Sequence, residues 1–199
     1  RDKMNLIKLS FSTLALSSLL FASNYKIDSN TSKAEFSTKY LKTQDVKGEF
    51  NKIVGEFNFD EKKSLLTSLK GEININSLST SKNDLTAFII SEKIFDSKKF
   101  PNIKFVATKI EQDTIFGDLT IKNVTKNIEL DFENSGEFFG KVYLKLSGKI
   151  KRSYFDLTWD ELLDTGSSAL DNEIAIEIDI EAEKQEKLKF TKIIEKSSK

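Results

Sequence analysis

Short segments in which apolar and polar residues alternate run through most of this chain of 199 residues. Successive side chains of a β-strand point to opposite faces, so this period of two predicts strands with one buried and one wet face. Seven such segments occur, at residues 34–40, 56–60, 69–76, 103–108, 128–133, 142–147 and 174–181. So many short strands predict an all-β fold, either an antiparallel barrel or a sandwich.

One interior segment, from Thr80 to Ile90, has the pattern of a helix instead. Apolar residues between Leu85 and Ile90 give it one apolar side, and Thr80 or Ser81 is predicted to cap its start. Pro101 follows this segment and is the sole proline. Because proline cannot donate a ladder hydrogen bond, Pro101 is expected where a strand begins.

The beginning of the chain predicts a secretory signal peptide over residues 1–23, in which residues 1–3 lie upstream of a start at Met4. A lysine-flanked start precedes an uncharged apolar stretch, residues 9–22, which is shorter than the ~20 residues that span a bilayer. Small residues end the stretch and suit cleavage. We therefore expect a periplasmic protein, with a retained N-terminal anchor helix as the alternative.

The rest of the chain divides into a single domain over residues 24–183 and a lysine-rich tail over residues 184–199. The tail contains six lysines and two glutamates. A solvated, frayed tail is the simpler interpretation of such a segment. The alternative is a weak, transient attraction to an anionic membrane surface, at ~1 kcal/mol per lysine close to the lipids.

The composition excludes several classes of chemistry. The chain has no histidine and no cysteine, which removes the usual zinc ligands, thiol redox chemistry and serine or cysteine triads. No glycine-rich nucleotide-binding motif occurs. The net charge is zero, so nucleic acid is not an expected partner. We predict no catalytic residue, no metal site and no cofactor.

One motif supports a competing enzymatic hypothesis. Residues 162–168 read Leu-Leu-Asp-Thr-Gly-Ser-Ser, which matches the active-site loop of aspartic proteases. A single copy would require a homodimer, because two aspartates must share one proton. Asp164 would then be the catalytic acid of a dimeric hydrolase. The alternative is a strand-connecting turn, since Asp, Gly and Ser form turns for backbone reasons.

A further series of residues, spread from Tyr25 to Ala182, falls in a familiar order. The series consists of Tyr25, Ile27, Asp28, Ser77, Leu78, Ser79, Thr80, Phe95, Asp96, Phe100, Pro101, Ile103, Phe105, Gly117, Asp118, Leu119, Thr120, Ile121, Val124, Thr125, Lys126, Gly148, Arg152, Ser153, Phe155 and the closing segment 173–181. This series resembles the YceI-like family, whose members are periplasmic lipid carriers also called polyisoprenoid-binding proteins. Leu85 and Thr86 depart from it, because the family usually has an Arg-Asp pair there.

The resemblance implies an extended, lipocalin-like antiparallel barrel of eight strands. It also implies that the lumen holds an amphiphilic lipid: an isoprenoid chain, such as a polyprenyl or an isoprenoid quinone, or a fatty acid amide. From the periodicity alone, inward aromatic residues would more often pack against one another as an ordinary core. An accessory protein whose barrel is filled and whose surface binds a protein partner is therefore the third hypothesis. A homodimer is a further expected assembly.

The resemblance also implies where the lipid would lie. Tyr40 is the first candidate for contact with the lipid head group, and Asn83 is the second, with helix capping as its alternative role. The predicted residues of the lipid tunnel are Phe36, Tyr40, Phe50, Phe88, Phe105, Phe155 and Trp159.

Overall fold

A computed structural model describes residues 22–159 and 169–185 of the chain. Over these residues the chain forms eleven strands, one α-helix and two short 3-10 helices. The strands are β1 (Ser23–Ile27), β2 (Lys33–Tyr40), β3 (Gln44–Phe50), β4 (Ile53–Asp60), β5 (Leu65–Asn74), β6 (Leu78–Thr80), β7 (Asn102–Ile110), β8 (Thr114–Ile121), β9 (Val124–Phe138), β10 (Lys141–Lys151) and β11 (Glu173–Lys184). The helix α1 is Asn83–Ile90, and the 3-10 helices are Ile75–Ser77 and Arg152–Phe155.

Eight of the strands form a closed antiparallel ring in the order β1-β4-β5-β7-β8-β9-β10-β11, which the β1–β11 pairing completes. The predicted all-β, eight-stranded antiparallel barrel is therefore confirmed. Pro101 lies immediately before β7, as its missing N–H group requires.

The remaining strands, β2, β3 and β6, branch from the ring at β11. Residues 173–183 of β11 pair with β10, whereas the other side of β11 pairs first with β2 and then with β1. β3 continues the branch beside β2, and β6 ends it beside β3. The sheet therefore forks at β11, with the ring on one side and a three-stranded branch on the other.

The helix α1 follows the branch and contacts β6. Its predicted capping by Thr80 or Ser81 is wrong, because Lys82 occupies the N-cap position and makes no side-chain capping bond. The Thr80 hydroxyl instead lies 2.9 Å from the Thr86 hydroxyl, where it ties the end of β6 to the first turn of the helix. Ile89 is the buried residue of α1 and faces the barrel core.

The two ends of the barrel differ, and β10 runs between them. The helix end comprises α1, residues 152–159 and the β2–β3 turn. The hairpin end comprises the turns of the β4–β5 and β9–β10 hairpins together with the last residue of β11. The eleven residues of β10 separate the two ends by about 35 Å along the strand, at about 3.4 Å per residue.

The outer face of the barrel carries cross-strand ion pairs, as the polar phase of the alternation predicts. Lys145 and Glu177 pair at 2.6 Å, and Lys149 and Glu173 pair at 2.8 Å. These side chains are solvent-exposed, so each pair contributes little stability. The fold therefore depends on the inward side chains and on the backbone ladder.

Aromatic rings on the inner face lie over glycines of the neighbouring strand. A Cβ atom added to Gly48 would lie 2.5 Å from the Phe36 ring, and one added to Gly117 would lie 2.3 Å from the Phe105 ring. The two glycines thus provide the space into which the rings lean. Leaning against the sheet rather than across the barrel, the rings leave part of the lumen unfilled.

Gly55 and Gly71 face each other across the β4–β5 hairpin but differ in the space in front of them. A Cβ on Gly55 would lie 2.3 Å from the Lys70 carbonyl oxygen and 2.8 Å from the Gly71 Cα. A Cβ on Gly71 would meet no heavy atom closer than 3.5 Å outside its chain neighbours. The backbone of β5 leaves no room for a side chain at position 55, whereas position 71 has room for one.

We expect Gly55→Ala to destabilise the fold by about 1–3 kcal/mol, because the backbone must shift to accommodate the new methyl group. The matched Gly71→Ala variant should stay within about 0.5 kcal/mol of the wild type. Urea unfolding followed by circular dichroism measures both changes. Equal midpoints for the two variants would contradict this account of the hairpin.

Candidate functional site

Two apolar cavities lie inside the barrel and share part of their lining. The outer cavity, toward the helix end, has a volume of about 100 Å³, and the deep cavity, further toward the hairpin end, has about 60 Å³. Ile103 on β7 and Ile176 on β11 line both of them. The cavities are therefore consecutive compartments of one lumen, separated by the side chains at their junction.

The walls of the lumen are mainly aliphatic. In the deep cavity, inward residues of the ring strands, such as Leu69, Leu119 and Ile178, surround Phe105. In the outer cavity, Ile89 of α1 and Ile94, just after the helix, add a wall that the sheet does not provide. This wall closes the space that opens where the sheet forks.

The few polar groups of the lumen lie in the outer cavity, at the helix end. The Thr38 hydroxyl is buried and donates to the Glu173 carbonyl oxygen at 2.8 Å. Thr158 and Arg152 also contribute to the lining. An elongated ligand would therefore meet polar groups only at the helix end.

The Arg152 guanidinium organises the chain that lies over this end. Its Nη1, Nη2 and Nε atoms donate to the carbonyl oxygens of Leu157, Leu170 and Asp171 at 2.9, 3.2 and 3.0 Å. Burial lowers the pKa of the Arg152 guanidinium, and the nearby Asp171 carboxylate acts in the opposite direction. One cation thus fixes the backbone on both sides of residues 160–168.

Trp159 covers the outer cavity from the helix end. Its ring lies 5.0 Å from the Phe88 ring of α1, nearly perpendicular to it, and 6.3 Å from the Tyr40 ring at the end of β2. The edge-to-face contact between Trp159 and Phe88 is a favourable arrangement of aromatic rings. The helix, the end of β2 and the segment after the second 3-10 helix therefore meet through three aromatic side chains.

The structure distributes the sequence-predicted site residues over several places. Phe36, Phe50 and Trp159 line the outer cavity, and Phe105 lines the deep cavity. Tyr40 and Phe88 reach Trp159 but are not among the residues that line either cavity in the described part of the chain.

Two other predicted residues lie away from the lumen surface, and one lies outside the described chain. Phe155, the last residue of the second 3-10 helix, is completely buried in the core, and Asn83 is exposed at the start of α1. Asp164 falls among residues 160–168, which lie outside the described chain. Most of the predicted signal peptide and most of the predicted tail also lie outside it, in residues 1–21 and 186–199.

The prediction from sequence omitted most of the aliphatic wall. Ile174, Ile176 and Ile178 alternate with polar residues along β11, so their inward direction could be read from the sequence. Ile89 and Ile94 could not be found in this way, because their position depends on how α1 folds onto the forked sheet.

An aromatic cluster fills the barrel beyond the deep cavity, toward the hairpin end. Tyr25 stacks on Phe57 with ring centroids 5.5 Å apart, and Phe59 meets Tyr25 edge-on at 6.1 Å. All three side chains are almost completely buried. The lumen is therefore closed at this end by packed aromatic rings.

The polar tip of this cluster reaches the surface through an ion pair. The Tyr25 hydroxyl donates to Glu61 at 3.0 Å, and Lys184 pairs with the same carboxylate at 2.5 Å. Burial and the hydrogen bond to Glu61 raise the pKa of the Tyr25 phenol far above its ordinary value. The bond from Lys184 is the main cause that holds the pKa of Glu61 below its usual range.

A larger hollow lies on the outside of the barrel, over the neighbouring strands from β9 to β6. It has a volume of about 920 Å³ and is lined largely by charged and small polar residues, including Glu49, Asp131 and Lys149. Its wall is open to solvent and polar. The internal lumen is therefore the better candidate for binding an apolar molecule.

Neither metal ligation nor a membrane span is indicated in the part of the chain that the structure describes. Over residues 22–159 and 169–185, no cluster of acidic side chains is arranged to hold a metal ion. No described helix combines the length and the apolar character that crossing a bilayer requires.

Comparison with known proteins places these features in a family. The YceI-like domain matches residues 25–182 of this chain. A UPF0312 protein of Yersinia enterocolitica is 31% identical over 150 residues, which cover 70% of this chain and 78% of that protein. The match extends over nearly the whole barrel.

Solved structures show the same architecture. The crystal structure of the Campylobacter jejuni YCEI protein is 31% identical and superimposes with a TM-score of 0.64, covering 74% of this chain and 90% of that one. A polyisoprenoid binding domain from Saccharophagus degradans is similar in fold, with a TM-score of 0.63 over 81% of this chain and 98% of that one. At 11% identity, the second comparison concerns the fold alone.

The buried phenol gives the stability of the barrel a defined dependence on alkaline pH. An unfolded tyrosine loses its proton near pH ~10, whereas folded Tyr25 keeps its proton well above that value. The unfolded state therefore binds fewer protons above pH ~10, so stability must fall as the pH rises.

We expect Tyr25→Phe to make this alkaline decline shallower, because phenylalanine has no proton to lose. Urea unfolding of both proteins on either side of pH ~10 measures the difference between their slopes. Parallel declines in the two proteins would show that Tyr25 is not the group responsible.

Proposed function

This chain belongs to the YceI-like domain family, and we propose that it binds the apolar chain of an amphiphilic lipid inside its barrel. The ligand class is an isoprenoid chain, such as a polyprenyl or an isoprenoid quinone, or a fatty acid amide. The observation that carries the proposal is the pair of consecutive apolar cavities that share Ile103 and Ile176. The polyisoprenoid binding domain of Saccharophagus degradans, which has the same fold, supports this ligand class.

The chemistry of the lumen selects for apolar chains. Its wall offers aliphatic and aromatic surface along the whole length and polar groups at one end only. Each CH₂ group that moves from water into such a wall contributes ~0.8 kcal/mol. Several methylene groups therefore suffice for binding without any directional contact, which suits a long hydrocarbon tail.

The polar groups suggest how the ligand is oriented. The tail would point toward the aromatic cluster of Tyr25, Phe57 and Phe59, which closes the deep cavity. The head group would remain at the helix end, near Arg152 and Thr158. Tyr40 lies beside Trp159 at the same end and stays the candidate for a hydrogen bond to the head group.

The volumes imply that the lumen enlarges when it is occupied. Cavities of about 100 and 60 Å³ are small beside the ~300–1,000 Å³ of typical ligand pockets. Trp159 lies over the outer cavity in a segment without helix or strand, so it can move without breaking a ladder. Ligand entry would then displace Trp159 from Phe88 and separate the side chains at the junction of the cavities.

The same small volumes favour one alternative, an accessory protein with a packed lumen that acts through a protein partner.

For the lipid-binding function we propose a periplasmic location, with the protein carrying its ligand through an aqueous compartment. The predicted signal peptide supports that location. The two functions differ in whether purified protein contains a lipid.

We expect mass spectrometry of organic extracts from the purified protein to reveal a stoichiometric amphiphile, and native mass spectra to show the same added mass. Gly71→Val should reduce the bound amount at least about tenfold, because the new side chain projects into the deep cavity and removes the space for the tail. A Cβ atom at this position meets ordinary contact distances, so we expect the variant to fold.

The matched control is Val54→Leu on the facing strand, where the side chain is 54% exposed on the outside of the same hairpin. It adds volume outside the barrel and should leave the lipid load unchanged. A wild-type protein that contains no lipid and takes up neither added polyprenol nor fatty amide would refute the lipid-binding function. The packed accessory protein would then be the better description.

A further inference from the structure

The tip of the β9–β10 hairpin exposes two adjacent aromatic side chains. Phe138 is 58% exposed, and Phe139 is exposed as fully as in an extended peptide. Single exposed apolar residues are common on protein surfaces, but two adjacent phenylalanines at the tip of a hairpin are not explained by packing. They form the most prominent apolar projection of the hairpin end.

The turn is built to hold these rings outward. Phe139 has a φ of +52°, a left-handed conformation that is unfavourable for a bulky residue, and Gly136 and Gly140 have φ values of +85° and +81°. The Gly136 N–H group donates to Asn134 Oδ1 at 2.9 Å, and the Gly140 N–H group donates to the Glu137 carboxylate. Side-chain bonds thus stabilise a backbone that presents Phe139 to its surroundings.

A basic segment of the chain begins beside this tip. The Lys184 N–H group donates to the Gly140 carbonyl oxygen at 3.0 Å, and the Gln185 N–H group donates to the Asn24 carbonyl oxygen at 2.8 Å. Residues 186–199, which follow directly, contain five lysines, two glutamates and four large apolar residues. The chain therefore leaves the barrel next to Phe138 and Phe139 and continues as a sequence with excess positive charge.

Two of the acidic residues at this end have basic neighbours. Glu61 pairs with Lys184 at 2.5 Å, and Glu183 lies 3.6 Å from Lys141. Lys141 also pairs with Glu181, and Glu137 of the turn adds a further carboxylate, so these residues supply no net positive charge. Residues 186–199 supply the net positive charge.

We propose that the hairpin end of the barrel docks on an anionic phospholipid bilayer. Phe138 and Phe139 insert at the level of the lipid head groups, and the positive charge of the sequence that follows residue 185 attracts the anionic lipids. A small apolar insertion or a short basic segment alone binds membranes weakly, whereas the two together give stable but reversible binding. The proposal does not depend on what the lumen contains.

Docking in this way fixes the orientation of the barrel. The outer cavity, Trp159 and α1 lie at the helix end, about 35 Å along β10 from the inserted tip. The mouth of the lumen would face the aqueous compartment, and the aromatic cluster around Tyr25 would face the lipid. The docked protein would be held at the bilayer while its lumen exchanges with soluble or protein partners.

The first test uses flotation of the full chain with vesicles of phosphatidylcholine alone and with added phosphatidylglycerol. We expect binding to the anionic vesicles that weakens as salt is added. The double variant Phe138→Ser/Phe139→Ser should bind at least about tenfold more weakly. The matched control Tyr154→Ser, which changes an exposed ring at the helix end, should bind like the wild type.

A second measurement reports which end touches the lipid. Because the chain has no cysteine, Phe139→Cys and Tyr154→Cys can each carry a single environment-sensitive dye. Anionic vesicles should shift the emission of the dye at position 139 to shorter wavelength and leave that at position 154 unchanged.

Three results would overturn the proposal. The first is a shift at position 154 without one at 139, which would mean that the helix end docks. The second is equal vesicle binding by the wild type and the double serine variant. The third is a dimer in sedimentation experiments that the double serine variant dissociates without any effect of vesicles, which would assign the rings to self-association.

Discussion

The pairing of β11 with two different strands on one side is the constraint on which the rest of the structure depends. Where β11 meets β1, the sheet closes into a ring and loses its edges, which leaves no unpaired ladder at that level. Where β11 meets β2, the sheet forks, and β2, β3 and β6 continue outside the ring. The fork creates the space that α1 and the following residues cover, so the outer cavity exists because the barrel does not close at that level.

The period-two pattern predicted seven of the eleven described strands and omitted β1, β3, β6 and β8. For β3 and β8 the omission has a shared reason. In β3 and β8 the inward positions at the centre are occupied by Gly48 and Gly117, so the expected apolar residue is missing from the pattern. The space in front of each glycine is filled instead by an aromatic ring of the adjacent strand. The Phe36 ring lies over Gly48, and the Phe105 ring lies over Gly117. The alternation within one strand does not show that a side chain on the adjacent strand fills the space in front of its glycine.

The candidate site was predicted only in part. The predicted aromatic residues that belong to strands, Phe36, Phe50 and Phe105, do line the cavities. Phe155 had the same residue type but is packed into the core, because the 3-10 helix after β10 turns it away from the lumen. The role of Arg152 could not be predicted, since its acceptors are backbone carbonyl groups that only the folded chain brings within reach.

The closure of the barrel also determines when a nascent chain can fold. The pairing of Tyr25 with Lys184 joins the two ends of the described sequence, so the ring cannot close until nearly the whole chain is available. Folds dominated by such non-local pairings have high contact order and fold slowly. Until β11 arrives, β1, β2 and β10 each present an open edge that can pair with another chain. During synthesis, aggregation is thus in competition with closure, and a binding partner that shields these edges would favour the native barrel.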